Sequence, residues 1–228
     1  MSMNQGPLDR TQLLVAARSL VEAEMQGLAD LASTLDERLI DVAERLIATK
    51  GKVLTAGLGT SGVTARRLAH LLSVTGTPSL FIHPADALHG GLGAVTSDDV
   101  VIALSKGGRT AELNEFVRRA RDRGAWIIVV TGDPASPFGQ LGNETVVLQS
   151  REEGEPGGMI AMGSTLVAAA WGDALAVVAM KLRGYRWNEV LFIHPGGAVG
   201  LLASTGSTGL TDGSDGPSSA AVGPGREI

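Results

Sequence analysis

The sequence predicts an α/β fold: a five-stranded parallel sheet flanked by helices in a flavodoxin-like, three-layer sandwich. Five short apolar runs follow one another along the chain, and two of them lead straight into glycine-rich turns. Segments with apolar residues at helical spacing lie between several of the runs, and strand–helix–strand succession gives right-handed crossovers and parallel pairing. The runs are continuous rather than alternating, as expected of strands covered on both faces.

The elements follow in order. Residues 9–31 place Leu13, Leu14, Ala17, Leu20 and Val21 at helical spacing and predict an N-terminal helix. Thr34-Leu35-Asp36-Glu37 has the form of a capping box and predicts a second helix reaching Lys50, stopped by Gly51. Residues 53–57 read as a strand, 61–75 as a helix closed by Gly76, and 79–83 as a strand. Residues 99–105 (DVVIALS) form a strongly apolar strand, followed by a helix over 111–123 that Gly124 ends. Residues 126–132 (WIIVVTG) and 144–149 (ETVVLQ) complete the sheet. Residues 164–182 are Ala-rich and apolar nearly all round, so this helix is expected to be buried on several sides and to reach a subunit interface. Beyond 202 the chain turns Gly/Ser/Pro-rich, which predicts a disordered tail over 203–228. The organisation expected is a helical segment over 1–34, a ligand-binding domain over 35–202, and the tail.

Composition narrows the function. The chain has 228 residues and a formal charge of -5, without a block of basic residues, which argues against nucleic acid. It has no cysteine, so disulfides, thiolate metal sites and a cysteine nucleophile are excluded. Four scattered histidines without ligand spacing give no metal site. The N-terminus lacks a basic start followed by an apolar run, and the most apolar stretch, 166–182, is interrupted by Asp173 and Lys181. The expectation is a soluble cytoplasmic protein without a membrane span.

The chemistry concentrates in two turns, Gly57-Leu58-Gly59-Thr60-Ser61-Gly62 and Ser105-Lys106-Gly107-Gly108-Arg109-Thr110. Each stands where a strand ends and a helix begins. In an open parallel sheet ligands bind there, and glycine-rich turns and helix N-termini aim backbone N–H groups at anions. Two such turns point to a phosphorylated small molecule. Ser61 suits a phosphate contact and equally an N-cap of the helix behind it; Ser105 and Thr110 carry the same two readings.

With these turns, further motifs make the chain resemble the sugar isomerase (SIS) domain family, in its arabinose-5-phosphate isomerase (KpsF/GutQ) branch. Residues 56–62 are similar to that branch's first phosphate-side turn. His83-Pro84-Ala85-Asp86-Ala87-Leu88-His89-Gly90-Gly91-Leu92-Gly93 is similar to HPAEA-x-HGDLG, and Ser105 to Thr110 stand where the family has SNSGES. Gly172-Asp173-Ala174-Leu175-Ala176 resembles MGDALA, and Phe192-Ile193-His194-Pro195-Gly196-Gly197-Ala198-Val199-Gly200 resembles SHPGGALG. The likeness runs over roughly 35–202. It implies a phosphosugar-binding protein, dimeric or tetrameric, and an aldose–ketose isomerase that uses no cofactor. Relatives in this branch often add a pair of CBS domains, which the residues after 202 do not resemble.

The departures lie in the proton-transfer machinery. The family's lysine in MGKSG is Thr60, its glutamate in SNSGES is Arg109, and the aspartate of HGD is Gly91. The APTSST segment is Ala161-Met162-Gly163-Ser164-Thr165, and the glutamate before it aligns with Glu153, with Glu152 the neighbouring choice. The resemblance therefore implies that Ser61, Ser105, Gly107, Gly108 and Thr110 hold the phosphate. His194 opens the ring or shuttles a proton, with His89 in support. Glu153 abstracts the carbon-bound proton, and Thr60 and Arg109 shape specificity. Arg109, always protonated, is no base; it suits an anion clamp. His83 reads as structural, His70 as packing or surface, and Asp173 as a hydrogen-bonded structural residue. A phosphosugar sensor without turnover is the alternative, on the loss of the lysine and glutamate at 60 and 109.

Overall fold

The computed structural model describes residues 9–196, which fall in two compact units divided between Arg183 and Gly184. In the first unit, helices α1 (Arg10–Thr34) and α2 (Glu37–Ala48) precede the sheet. Then come β1 (Val53–Ala56), α3 (Gly59–Val74), β2 (Ser79–Phe81), α4 (Pro84–Leu88), β3 (Val100–Leu104), α5 (Ala111–Asp122), β4 (Trp126–Thr131), β5 (Glu144–Val147) and α6 (Gly163–Arg183). The second unit contains α7 (Trp187–Phe192). The expected tail over 203–228 lies outside the described residues.

All strands are parallel, in the order β2-β1-β3-β4-β5. The order reverses between β1 and β3, because the chain leaves β1 for one edge and returns past it to lay down β3. The crevice outside the carboxyl ends of these two strands is where such sheets bind ligands.

The continuous apolar runs are explained by cover on both faces. Every residue of β3 is buried: Val100, Ile102 and Leu104 face one core and Val101 and Ala103 the other. The first core joins the sheet to α2, α3 and α6 through Leu46, Leu72, Trp171 and Leu175. The second joins it to α5 through Leu113, Phe116 and Val117, closed by Phe138. At the edge, β5 alternates between half-buried and exposed residues.

Several boundaries differ from the sequence reading. Thr34 does not cap α2. It ends α1, its hydroxyl donating to the Leu31 carbonyl at 3.0 Å, and Asp36 caps α2 by accepting from the Arg38 N–H at 3.1 Å. The shorter side chain-to-backbone path from Asp36 wins because α1 continues through Thr34 while Leu31 packs into the core. Likewise Ser61 is not an N-cap. The helix starts at Gly59, so Ser61 lies inside its first turn. A Cβ at Gly57 would lie 2.8 Å from the Ser61 carbonyl oxygen, and one at Gly62 would lie 2.8 Å from the Gly57 oxygen. The glycine pair lets β1 and α3 meet at backbone contact and pulls the helix start forward.

α6 is apolar because α1, α2 and α3 cover it within one chain. By length and composition it could cross a membrane, yet Val167, Trp171, Leu175, Ala176 and Ala179 are buried against its own domain.

Candidate active site

Two adjoining cavities open at the carboxyl ends of β1, β3 and β4. The inner one, small and narrow, is lined by the hydroxyl residues Ser61, Thr64, Ser105, Thr131, Ser164 and Thr165, with Lys106, Gly132 and apolar residues from the sheet and α6. The outer one, much the roomier, is acidic. Asp133, Glu152, Glu153 and Glu155 line it, with Gly107, Gln149 and the loop before α6. Lys106, Gly132 and Leu148 belong to both and mark the passage between them.

The lining of the inner cavity has the chemistry that suits an anion. Its hydroxyls come with the N-terminal turns of α3 and α6, where helix dipoles and backbone N–H groups favour negative charge. None of its lining residues is a carboxylate. Ser105 Oγ accepts from the Gly108 N–H at 3.1 Å, which fixes the turn and leaves the hydroxyl proton to donate elsewhere. Ser164 Oγ is buried and has no partner among the described residues; a buried hydroxyl in that state is short of a hydrogen bond that a ligand can supply.

Lys106 is held firmly at the passage. Its carbonyl accepts from the Gly132 N–H at 2.9 Å and from Thr131 Oγ1 at 3.1 Å, both at the end of β4. Its ammonium lies 3.2 Å from Glu155 Oε2. Glu155 is buried, and its Oε1 accepts from the Ser164 N–H at 2.6 Å, capping α6. Burial pushes the Glu155 carboxyl up, but the hydrogen bonds from Ser164 and Lys106 together outweigh it and hold the group below its ordinary range. Both oxygens are therefore engaged, and the group is a poor proton acceptor.

The structure brings together part of the expected set. Ser61 and Ser105 line the inner cavity; Gly107 and Glu153 line the outer one. Glu153 is exposed on the 3-10 turn Glu152–Gly154. Gly108 does not face either cavity. It takes φ 64° and packs against Ser136 and Phe138, leaving no room for a side chain. Thr110 stands at the N-cap of α5 without a side-chain bond and lines neither cavity. Thr60 is exposed on α3, and Arg109, exposed and lining neither cavity, pairs with Asp133 of the outer cavity wall at 3.6 Å. His89 is exposed at the C-cap of α4, beside a turn whose Gly90 has φ 115°, and lines neither cavity. His194 belongs to the second unit, where its Nδ1 lies 2.6 Å from the Val190 carbonyl oxygen. Asp173, read as structural, pairs with Arg67 on α3.

Lys106 and Glu155 do not stand out in the sequence. Lys106 sits inside a turn whose glycines and hydroxyls carry the pattern, and Glu155 is one of three glutamates in a charged loop. No periodicity separates the buried one from its exposed neighbours. The proline after Glu155, which opens the 3-10 turn Pro156–Gly158, is the available signal that the loop folds back there. Among the described residues no three His, Cys, Asp or Glu side chains converge as a metal site.

Comparison with known proteins agrees with this architecture. The model of the SIS domain matches residues 46–178, a stretch that includes both turns and the whole inner cavity. The chain belongs to the SIS domain family. Its curated relatives include the arabinose 5-phosphate isomerase KdsD of Pseudomonas aeruginosa, 36% identical over 185 residues, covering 81% of this chain and 57% of the relative. GutQ of Salmonella typhi, also an arabinose 5-phosphate isomerase, is 35% identical over 188 residues, covering 82% of this chain and 59% of the relative. This SIS chain thus spans less than two thirds of those proteins' length. Among solved structures, an E. coli CFT073 protein in complex with arabinose 5-phosphate superposes with TM-score 0.78 at 29% identity, covering 82% of this chain and 100% of that one. A candidate sugar-phosphate isomerase of Listeria monocytogenes superposes with TM-score 0.79 at 31% identity, covering 83% of this chain and 100% of that one.

Proposed function

We propose that this SIS domain is an aldose–ketose isomerase of sugar phosphates, with a pentose phosphate such as arabinose 5-phosphate as its substrate. The observation that carries the reading is the pair of adjoining cavities: a hydroxyl-lined inner one for the phosphate and a carboxylate-lined outer one for the reacting carbons. The relatives named arabinose 5-phosphate isomerase, and the structure solved with that sugar phosphate, support the choice of substrate.

The isomerisation is redox-neutral within the substrate. A base removes the proton from the carbon beside the carbonyl, and the C–H pair forms the enediol double bond. The old carbonyl oxygen takes up a proton and becomes a hydroxyl; the abstracted proton is then returned to the old carbonyl carbon while the hydroxyl on the adjacent carbon gives up its proton and becomes the new carbonyl. Glu153 is the base in this reading. It reaches the outer cavity and is exposed, unlike Glu155, whose oxygens are engaged. His194 opens the sugar ring or relays the proton with His89 in support, and Thr60 and Arg109 shape specificity. Ser61, Ser105 and Gly107 hold the phosphate. Gly108 and Thr110 act indirectly, by shaping the turn and the start of α5.

The same reading takes the protein as cytoplasmic and homo-oligomeric, a dimer or tetramer. Support for assembly comes less from the body of α6, which its own chain covers, than from Met159, Ile160 and Met162, exposed close together in the loop before α6, with Met159 on the outer cavity. The test is an NMR assay of aldose–ketose interconversion on a panel of pentose and hexose phosphates. Turnover, reduced at least about a hundredfold in Glu153→Gln, is expected. Tight binding of a sugar phosphate with no turnover on any substrate would instead make the protein a sensor.

A further inference from the structure

The SIS resemblance places a lysine at 60 and a small polar residue at 106; this chain has Thr60 and Lys106. The exchange puts the positive charge at a different point of the same site. Thr60 is exposed on α3 and lines neither cavity, whereas Lys106 lines both. Among the described residues lining the two cavities, Lys106 is the one cation. A phosphate dianion enclosed by hydroxyls and helix ends requires a compensating charge, and a charge-assisted hydrogen bond is about twice as strong as a neutral one.

We propose that Lys106 is the phosphate-binding cation of this site, and that the buried Glu155 is the residue that positions it. The proposal rests on the sugar-phosphate reading above and deepens it. The backbone of Lys106 is pinned by two donors from the end of β4, and its ammonium is drawn toward Glu155 Oε2 at 3.2 Å. Glu155 is itself fixed by the Ser164 N–H at 2.6 Å. The pair therefore spans from the β3 turn to the start of α6, across the passage between the cavities. Lys106 remains about half exposed, with side-chain exposure of 46%, and lines both cavities, so its ammonium keeps donors beyond the one Glu155 engages. The partnerless hydroxyl of Ser164, at the capped start of α6, completes the set of donors.

The experiment is titration calorimetry of the intact protein with inorganic phosphate, together with KM and kcat on whichever sugar phosphate turns over. In Lys106→Met, phosphate affinity is expected to fall about tenfold or more, the size of one lost charge-assisted hydrogen bond. KM rises by a similar factor and kcat changes less. Lys106→Arg, which keeps the charge, restores most of the affinity. Glu155→Gln weakens phosphate binding several-fold, and this loss vanishes when it is combined with Lys106→Met, because a positioning residue acts only through the group it positions. Phosphate affinity within about twofold of the parent in Lys106→Met overturns the proposal, as does a parent protein that binds no phosphate. An equal Glu155→Gln effect in both backgrounds overturns the positioning role. Lys106-dependent phosphate binding without turnover of any sugar phosphate sinks the isomerase reading and leaves this one standing.

Discussion

Each end of the sheet carries a lysine beside a buried carboxylate, and the two pairs differ in how much of the lysine the protein uses. At the amino end, Asp99 accepts from the Lys52 N–H at 2.9 Å and the Thr96 N–H at 2.8 Å, and pairs with Lys52 Nζ at 2.9 Å. That ammonium also donates to the Ala94 carbonyl at 2.8 Å. The arrangement stitches the loop before β3 to the start of β1 and faces neither of the cavities described above. At the carboxyl end, Lys106 has Glu155 as its one side-chain partner among the described residues, and it opens onto both cavities. The same two kinds of group thus serve as a staple at one end and as an incompletely satisfied, ligand-ready pair at the other. The difference lies in the surroundings: Lys52 finds a second acceptor in the Ala94 carbonyl, while Lys106 stands between two cavities.

Four tests sharpen this contrast. The largest expected effect is on stability at the amino end. Asp99→Ala leaves two partly buried N–H groups without an acceptor and the Lys52 ammonium with only the Ala94 carbonyl, and is expected to cost about 3 kcal/mol in urea unfolding, with phosphate affinity of the folded protein unchanged. A loss of phosphate binding equal to that of Lys106→Met would erase the distinction between the two ends.

Next comes Gly108→Ala. With φ 64° and Ser136 and Phe138 against it, the turn has to shift, so this single methyl is expected to cost about 1–3 kcal/mol and to weaken phosphate binding by displacing Ser105 and Lys106. Calorimetry with phosphate and a urea melt read the two effects separately.

The acid limb of stability separates the pairs further. Both carboxyls titrate below their ordinary range in the folded state, against the opposing effect of burial. The stability each contributes is therefore fully present above the ordinary carboxylate pKa of about 4, and drains as pH falls through the lowered folded values. Asp99→Asn should flatten the fall in urea midpoint below about pH 4 more than Glu155→Gln does, since Asp99 has the larger set of donors. The reverse order would mean that the open pair carries the stability.

The smallest effect belongs to Glu115 on α5. Arg118, then Arg119, hold its carboxyl down at about 2, but the group lies at the surface within reach of water. Glu115→Gln is expected to leave the melting temperature nearly unmoved, because water and salt screen such pairs.

Most of the fold is readable from the sequence because parallel strands buried on both faces are written as unbroken apolar runs, and each of the five falls within a few residues of its expected place. What cannot be read are features set by close approach in three dimensions. The start of α3 depends on Gly57 meeting Gly62, and Thr34 loses its capping role to Asp36 because α1 runs on. The site is half legible. Ser61, Ser105, Gly107 and Glu153 follow from turn chemistry and the SIS likeness. Lys106 and Glu155 do not, because their partnership joins residues far apart in the chain, and neither residue type is unusual in a polar loop. Arg109, conspicuous for its charge reversal, lines neither cavity and pairs with Asp133.

The most direct measurement is a crystal structure of the protein with a bound pentose phosphate. The phosphorus is expected in the inner cavity, with its oxygens within hydrogen-bond distance of Ser61, Ser105 and Lys106 Nζ, and the sugar carbons extending toward Glu153. A phosphate seated in the outer cavity, or one that leaves Lys106 paired to Glu155 without contacting it, would contradict the assignment of the site.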